Sequence, residues 1–526
     1  MTLNHDGNTR SWPPLFGKRE IQDIVHGPIS LFYPLNKIVD TKEFQRLRDI
    51  KQLGVTYLVY PCSTHTRFVH SLGTYWLAFK FVDVLKRDLS LNITCEDHLC
   101  VSIAALCHDL GHGPFSHLFD STFRDTLYND HKHESLSILL LRRLLNRSEI
   151  KSIMESYLGV GEEYDKNITF IEELISSKKL CVFPYVYHGV ASRTAKEYDS
   201  NGHWLPQGRP LDKAFLFDIV ANENDSIDVD KFDYLVRDSF CTGIPIPFNK
   251  DSIYRLMENA RVLPDPYRGF LRICYSKKVA DIVLFVGDSR QMLHNLVYKH
   301  HVVSVFEAMI VKALVLAGEH LHYVGDNGVS YSLSNVTQNL EAYLKTTDAV
   351  LRDISNSTSP YLADARKILQ NVEMRNIPKK VEEMECGPSC VTKILNRVND
   401  GSDRNLEDIQ KLICRELTLT LGSDFDDDSV LVLAREMHRG LDGRSHPMKK
   451  VLLYDNKCEG DVVPCYVNEE WLRLKAPQEA AIWSVCLYVA RSMTKEQRSL
   501  ARNTFNAVVS KLGLRHSTET KRNISL

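Results

Sequence analysis

The sequence predicts a mainly α fold: an all-helical core followed by a smaller α+β C-terminal lobe. Three observations predict it. From about residue 20 to 375, apolar residues recur at helical spacing and strand-like alternation is scarce. After about residue 380 the linker-like stretches "VEEMECGPSC" and "NDGSDRN" appear, with short runs that read as strands: "SVLVLAREM", "MKKVLLYD" and "DVVPCYV". At 526 residues the chain also exceeds what one hydrophobic core ordinarily holds, so two or three domains are expected.

In chain order, residues 1–19 read as an N-terminal tail without the basic and apolar regions of a secretory signal. Residues 20–378 form the expected core. "GVTYLVYP" stands out from its helical spacing and reads as a hairpin arm, whereas "EDHLCVSIAALCHDLGH" predicts a helix buried on much of its surface. "KHESLSILLLRRLLNRS" and "HHVVSVFEAMIVKALVLAGEHL" predict amphipathic helices, and the polar, turn-rich residues 185–212 a surface excursion. Residues 379–515 form the lobe, closing on the helical "TKEQRSLARNTFNAVVSKLG", and 516–526 a polar tail. "DFDDD" lacks the glycine and final glutamate of a calcium loop and reads as a solvated turn.

Composition excludes some classes. Hydrophobic residues at 44% and charged residues at 25% are ordinary globular values, which disfavours disorder. The 65 basic against 67 acidic residues give no global attraction to nucleic acid, although a local basic pocket is compatible with that balance. No apolar run is long enough to span a membrane. Thirteen scattered cysteines, an odd number, fit reduced thiols in an intracellular protein, in nucleus or cytoplasm. Cys386 and Cys390 lack a partner cluster at zinc-finger spacing.

The chemistry concentrates in "CHDLGHGPFSH", which holds three histidines and an aspartate. Continued as a helix, it would put His108 and His112 on one face with Asp109 one step round. A lone buried histidine is usually a satisfied core residue. An adjacent His-Asp pair in an apolar helix is different, because a buried carboxylate costs several kcal/mol unless a cation compensates it, and imidazole with carboxylate suits a divalent transition metal. Gly111, Gly113 and Pro114 then break the helix, leaving His117 to face the same cavity. "STHTRFVHSLG" adds Arg67 and His70 on one face of a helix start. "SIDVDKFDYLVRD" adds Asp230, Asp233, Tyr234 and Asp238 near one helical face, with Lys231 beside it. His70, His108, Asp109 and Asp230 make a four-ligand set.

That order, H…HD…D on a helical core, resembles the HD-domain metal-dependent phosphohydrolases. The blocks "IVDTKEFQRLRDIKQLG", "HTRFVHSLG", "LCHDLGHGPFSHLFD", "IDVDKFDYLVRD" and "SRQMLHNLVYKH" closely resemble the sterile-alpha-motif and HD-domain-containing dNTP triphosphohydrolases of animals. They are ordered and spaced as in that family from about residue 20 to 380. The stretch before residue 20 is too short for the sterile alpha motif, so the chain resembles a member without it. The resemblance implies cleavage of a dNTP to deoxynucleoside and intact triphosphate. Zn, Fe or Mn would occupy the HD site and Mg²⁺ would accompany the nucleotide. It further implies lowering of cellular dNTP pools and restriction of viruses.

Residue roles follow by matching position. Arg67, Lys231 and Arg290 would neutralise the triphosphate, His112 would contact the α-phosphate, His117 would protonate the departing 5′ oxygen, and His133 matches the family's active-site histidine. Gln52 and Asp238 match contacts to the 3′-hydroxyl; Leu53 and Tyr298 match the wall where a ribose would carry its 2′-hydroxyl. Tyr234 and His294 complete the substrate set, and Lys299 stands where the family typically has glutamine. Asp40, Gln45 and Arg48, expected on one helix turn, match a GTP activator site, with Arg19 in place of a lysine and Arg375 reaching in from a neighbouring chain. Gln22, Arg261, Lys278 and His300 match a second, dNTP activator site, but Ser276, Ile282 and His301 replace positions that are usually Arg, Asn and Lys. A nucleotide-bridged homotetramer is therefore expected. Two other readings stay open: a different HD-domain nucleotide phosphohydrolase, and a single-stranded nucleic-acid-binding antiviral scaffold with vestigial catalysis.

Overall fold

The computed structural model describes residues 12–14, 17–123, 133–176, 206–387, 406–421, 429–441, 446–455, 462–476 and 481–511. It divides into two compact units. The first comprises residues up to Ser289 with Gly318–Asp353 and Pro447–Leu472; the second comprises Arg290–Ala317, Ile354–His446 and Arg473 onward. Residues 290–317 therefore group with the C-terminal lobe, and 447–472 with the core, across the boundary drawn at residue 378.

The first unit is built on six longer helices: α1 (Arg67–Leu85), α2 (Cys95–Cys107), α3 (His133–Leu145), α4 (Ser148–Leu158), α5 (Glu162–Ile175) and α6 (Val229–Thr242). α2 starts at a capping box, in which the Thr94 hydroxyl accepts the Asp97 N–H while the Asp97 carboxylate accepts the Thr94 N–H. α6 starts at Asp228, whose carboxylate accepts the Lys231 N–H, and stops at Gly243 in the left-handed conformation. α1 is apolar on nearly every face and buried accordingly, packing against both α2 and α6. Gly73 permits the α1–α6 approach: a Cβ there would lie 1.9 Å from Asp233 Oδ1. The end of the predicted excursion returns to the core, where Arg209 donates to Asp97 and Asn167 at 2.6 Å each. Residues 185–205 lie outside the described residues, as do "DFDDD" and Cys390.

Two expectations change here. "GVTYLVYP" is no hairpin arm: Gly54–Leu58 is a 3₁₀ turn, because Gly54 takes φ +52° and Gly54, Val55 and Thr56 are buried in succession rather than alternately. Strands do occur within the core. Lys18–Asp23 pairs antiparallel with Gly27–Phe32, and His322–Val324 with Ser330–Ser332. A four-stranded sheet runs Cys465–Tyr466, Leu452–Tyr454, Leu271–Ser276, Ala260–Pro264, with the central pair parallel.

In the second unit, a three-stranded antiparallel sheet places Ala481–Val489 between Lys379–Cys386 and Val430–His438. The helices Leu406–Leu421 (α7) and Lys495–Lys511 (α8) pack together, and a core of Ile413, Leu417, Val485, Leu487, Phe505 and Val509 lies between helices and sheet. This is the expected α+β lobe. The cysteines among the described residues are free, and among those residues no single helix is long and apolar enough to cross a membrane.

Candidate active site

α2 ends at Cys107, earlier than expected, so His108 and His112 do not share a helical face. The physical reason lies in α3. Ser137 Oγ donates to the His108 carbonyl at 2.7 Å and accepts the Gly111 N–H at 2.8 Å, turning the chain at the HD pair. Gly111 sits so tightly on α3 that a Cβ would meet the His133 carbonyl at 2.2 Å.

The turn brings four donors together. His70 Nε2 is 3.0 Å from Asp230 Oδ1 and 3.5 Å from Asp109 Oδ2; His108 Nε2 is 3.4 Å from Asp230 Oδ1 and 3.5 Å from Asp109 Oδ1. Both imidazole Nε2 atoms are buried yet have no hydrogen-bond partner of good geometry among the described residues. Their Nδ1 atoms are engaged, His70 with Asp233 Oδ2 at 2.8 Å and His108 with the Ala105 carbonyl at 2.9 Å. Each Nε2 is thereby turned toward the carboxylates, the arrangement of metal-ligating histidines with their outer partners. The donor set fits a divalent transition metal. Burial alone would lower the pKa of His70, but Asp230, Asp233 and Asp109 outweigh it and hold it up to about 10. The site therefore favours positive charge.

Asp233 anchors this arrangement, binding His26 Nε2 at 2.6 Å and the Arg237 guanidinium at 2.8 and 2.9 Å, and Arg237 continues to Asp23 at 2.9 Å. The sequence placed Asp233 on the buried face of α6 without giving it a role; its spacing one turn beyond Asp230 was the available signal.

Beside the four donors lie three histidines. The rings of His112 and His133 stack at 4.0 Å and 17°, and His117 stands edge-on to His112 at 5.1 Å. Asp120 binds His112 Nδ1 and accepts the Gly113 N–H at 3.1 Å; sequence reasoning missed it, because the break after His112 hid that the chain returns. Burial lowers the pKa of His133 to about 3, with His112 adding to the effect. His117 is exposed at the opening beside His112 and His133, and what desolvation it feels, with the Arg67 guanidinium adding to it, lowers its pKa. Arg67 donates to Asp109 Oδ2 at 2.6 Å and to Ser116 Oγ at 2.8 Å.

Against known proteins, the HD-domain family model matches residues 67–179. Those residues carry an HD domain. This HD-domain chain is 39% identical over 368 residues to deoxynucleoside triphosphate triphosphohydrolase SAMHD1 of Homo sapiens, a match covering 69% of this chain and 55% of that protein. It is 34% identical over 443 residues to the SAMHD1 of Danio rerio, covering 84% and 65%, and 34% identical over 396 residues to the SAMHD1 homolog of Dictyostelium discoideum, covering 74% and 64%. It thus spans between 55% and 65% of the length of these relatives.

Around the HD site, Lys231, next to Asp230 in α6, donates to Asp228 at 2.8 Å. Asp238 binds His65 Nε2 at 2.7 Å; burial opposes the charge on His65, but Asp238 with Cys241 lifts its pKa to about 9. Gln52 takes the neighbouring place, its N–H donating to the His65 carbonyl at 3.0 Å and its buried Oε1 without a partner among the described residues. Leu53 and Tyr234 are half-buried in this unit.

The expected GTP residues of the first unit do meet. Arg19 forms a bidentate pair with Asp40 at 2.7 and 2.8 Å, Arg48 donates to Gln45 Oε1 at 2.8 Å, and Gln45 donates to the Val39 carbonyl at 2.7 Å. They do not lie on one helix turn: Asp40 caps Leu35–Val39, Gln45 ends Lys42–Gln45, and Arg48 is in the 3₁₀ turn Arg46–Asp49. Gln22 is exposed on its strand, Arg261 lies over the Tyr454 ring at 5.1 Å, and Lys278 is exposed, its N–H donating to Ser276 Oγ. Ile282 is buried.

The remaining candidates belong to the second unit. Arg290 donates to the His438 carbonyl at 2.6 Å, and His294 stands edge-on to Tyr298 at 5.0 Å within the π-helical turn His294–Tyr298. The Lys299 carbonyl accepts the Arg435 guanidinium at 2.5 Å. The rings of His300 and His301 lie 4.4 Å apart; burial lowers both, His301 to about 4 with Lys380 adding to it. Arg375 is exposed and lies over the Phe306 ring at 5.3 Å.

Proposed function

We propose that this chain hydrolyses dNTPs to deoxynucleoside and inorganic triphosphate, the activity that names its SAMHD1 relatives. One observation carries the reading: the partnerless Nε2 atoms of His70 and His108, facing Asp109 and Asp230, adjoin the His112–His117–His133 cluster. His70, His108, Asp109 and Asp230 would hold a divalent ion, which when bound supplies Lewis acidity at the α-phosphate. Arg67 and Lys231 offset the polyanion's charge, and Asp120 orients His112. Before substrate arrives, the surroundings of His117 and the Arg67 guanidinium lower its pKa. A triphosphate, bringing about four negative charges, reverses that balance and lets His117 take up the proton it delivers to the 5′ oxygen. Gln52 Oε1 and Asp238 supply acceptors for the sugar hydroxyl.

Activation belongs to the same reading. The guanine edge offers N1–H and N2–H₂ to Asp40, so GTP binding displaces Arg19 from that carboxylate. Assembly into a homotetramer with GTP and dNTP at the subunit contacts follows, with an intracellular role in limiting dNTP pools and viral replication. The test is chromatography of dGTP incubated with the chain, Mg²⁺ and Mn²⁺, with and without GTP. Triphosphate and deoxyguanosine are the expected products. Orthophosphate or a monophosphate would assign a different HD phosphohydrolase, and nucleic-acid binding without turnover would assign the scaffold.

A further inference from the structure

The loop between the HD pair and His117 holds two consecutive non-glycine residues in the left-handed region, Phe115 at φ +59° and Ser116 at φ +58°. L residues visit that region singly, because Cβ crowds the following carbonyl. Two in succession persist where the surroundings over-determine them.

Here they are over-determined. The Phe115 N–H donates to Asp348 Oδ1 at 2.7 Å. The other oxygen of Asp348 accepts the Lys51 N–H at 3.0 Å and the Lys51 ammonium at 3.3 Å. Ser116 Oγ donates to the Lys51 carbonyl at 2.8 Å and accepts from Arg67 Nε at 2.8 Å. Gly54 lies so close to the turn that a Cβ on it would meet the Phe115 carbonyl oxygen at 2.8 Å. The preceding residues are braced from the same side, Tyr343 donating to the Gly111 carbonyl at 2.6 Å and Arg46 to the His112 carbonyl at 2.8 Å. The Asp348 N–H is itself fixed on the Asp49 carbonyl at 3.1 Å.

Asp348 is thus a carboxylate with its side chain 6% exposed, using both oxygens on backbone amides of two separate segments. One segment precedes Gln52 and Leu53; the other precedes His117. We propose that Asp348 is a positioning residue: it clamps the Lys51 and Phe115 amides and so keeps the left-handed turn that presents His117 beside His112. This rests on reading His117 as the acid for the 5′ oxygen.

The test uses the full metal-loaded chain and two substrates, dGTP and its analogue with sulfur at the 5′ bridging position, whose thiolate leaves without a proton. Asp348→Ala should lower kcat for dGTP about a hundredfold, with KM within about twofold, since a small misplacement of a reacting group has that scale of effect. Metal content should stay at the wild-type level, and the sulfur analogue should lose far less. Asp348→Asn keeps the acceptor for Phe115 and should fall between; if the alanine variant does not fold, it decides by the same comparison. Wild-type kcat per folded, metal-loaded variant molecule, or equal losses on both substrates, overturns the clamp alone. A wild-type chain that releases no triphosphate overturns the underlying reading, and the clamp with it.

Discussion

His70 and His108 each present a buried nitrogen that the rest of the described protein does not satisfy. An unmet buried acceptor costs on the order of 1–3 kcal/mol, so such a pair facing two carboxylates has a function other than folding. Replacing His108 and Asp109 together by alanine should abolish bound transition metal, read by elemental analysis, while far-ultraviolet circular dichroism keeps its helical signal. Full metal content in that variant would dismiss these ligands. The HD pair was legible because two polar residues adjoin inside an apolar run. Asp120 and Asp233 were not, since Asp120 reaches His112 only because the chain returns after the break, and Asp233 holds His70, distant in sequence. His65 belongs with them, and it carries a pH dependence. Its pKa rises from 6.5 to about 9 in the folded protein, with Asp238 the principal cause of the rise against burial. The pair's stabilisation is then complete below pH 6.5 and lost as pH climbs through about 9. At most it is about 3 kcal/mol, from the size of that shift. Denaturation of wild type and His65→Gln should differ at pH 6 and converge above pH 9; an equal gap at both would refute the pairing.

Helices α1 and α6 pack closely at a glycine, near where His70 and Asp230 approach. Gly73→Ala would place a methyl group 1.9 Å from Asp233 Oδ1 and 2.5 Å from Arg237 Nη2, two groups too enclosed to swing aside. The helices must separate, breaking the buried His70–Asp233 contact, at a cost on the order of 3–5 kcal/mol. Urea titration should show that loss together with weakened metal binding; a wild-type midpoint would mean that α1 and α6 have slack. Helical spacing revealed α2 by its apolar positions, the start of α1 by Arg67 and His70 on one face, and α6 by polar residues gathered near one face. The 3₁₀ turn at Gly54–Leu58 escaped because "GVTYLVYP" has the β-branched and aromatic composition of a strand, whereas a left-handed Gly54 and its packing on Phe115 override propensity. The end of α2 was misplaced for a similar reason: Ser137, on a different helix, turns the chain at His108.

At the scale of the whole molecule, the proposed activation and assembly can be tested directly. On the proposed reading, Asp40, Gln45, Arg48 and Arg19 of the first unit bind GTP as the first activator cluster, so Asp40→Ala should abolish GTP-dependent turnover and leave metal content untouched. At the second, His301 is held neutral where a cation is usual, and Ser276 caps the turn before Lys278. Phosphate attraction there should be weak and salt-sensitive. Light scattering should show growth in mass only with GTP plus dNTP, at concentrations that rise with ionic strength; a stable, active tetramer without nucleotide would refute this dependence. The composition change near residue 380 made the lobe visible, but not that Leu452–Tyr454 completes a sheet of the first unit. That strand bears on any attempt to cut the chain. A fragment ending at 378 would leave Leu271–Ser276 as an open edge and strip Cys274 of its neighbours Leu452 and Tyr454. It should aggregate on expression, as bare apolar edges do, whereas the same fragment co-expressed with 447–472 should stay in solution. During synthesis, likewise, the sheet stays unfinished until residue 466 has left the ribosome.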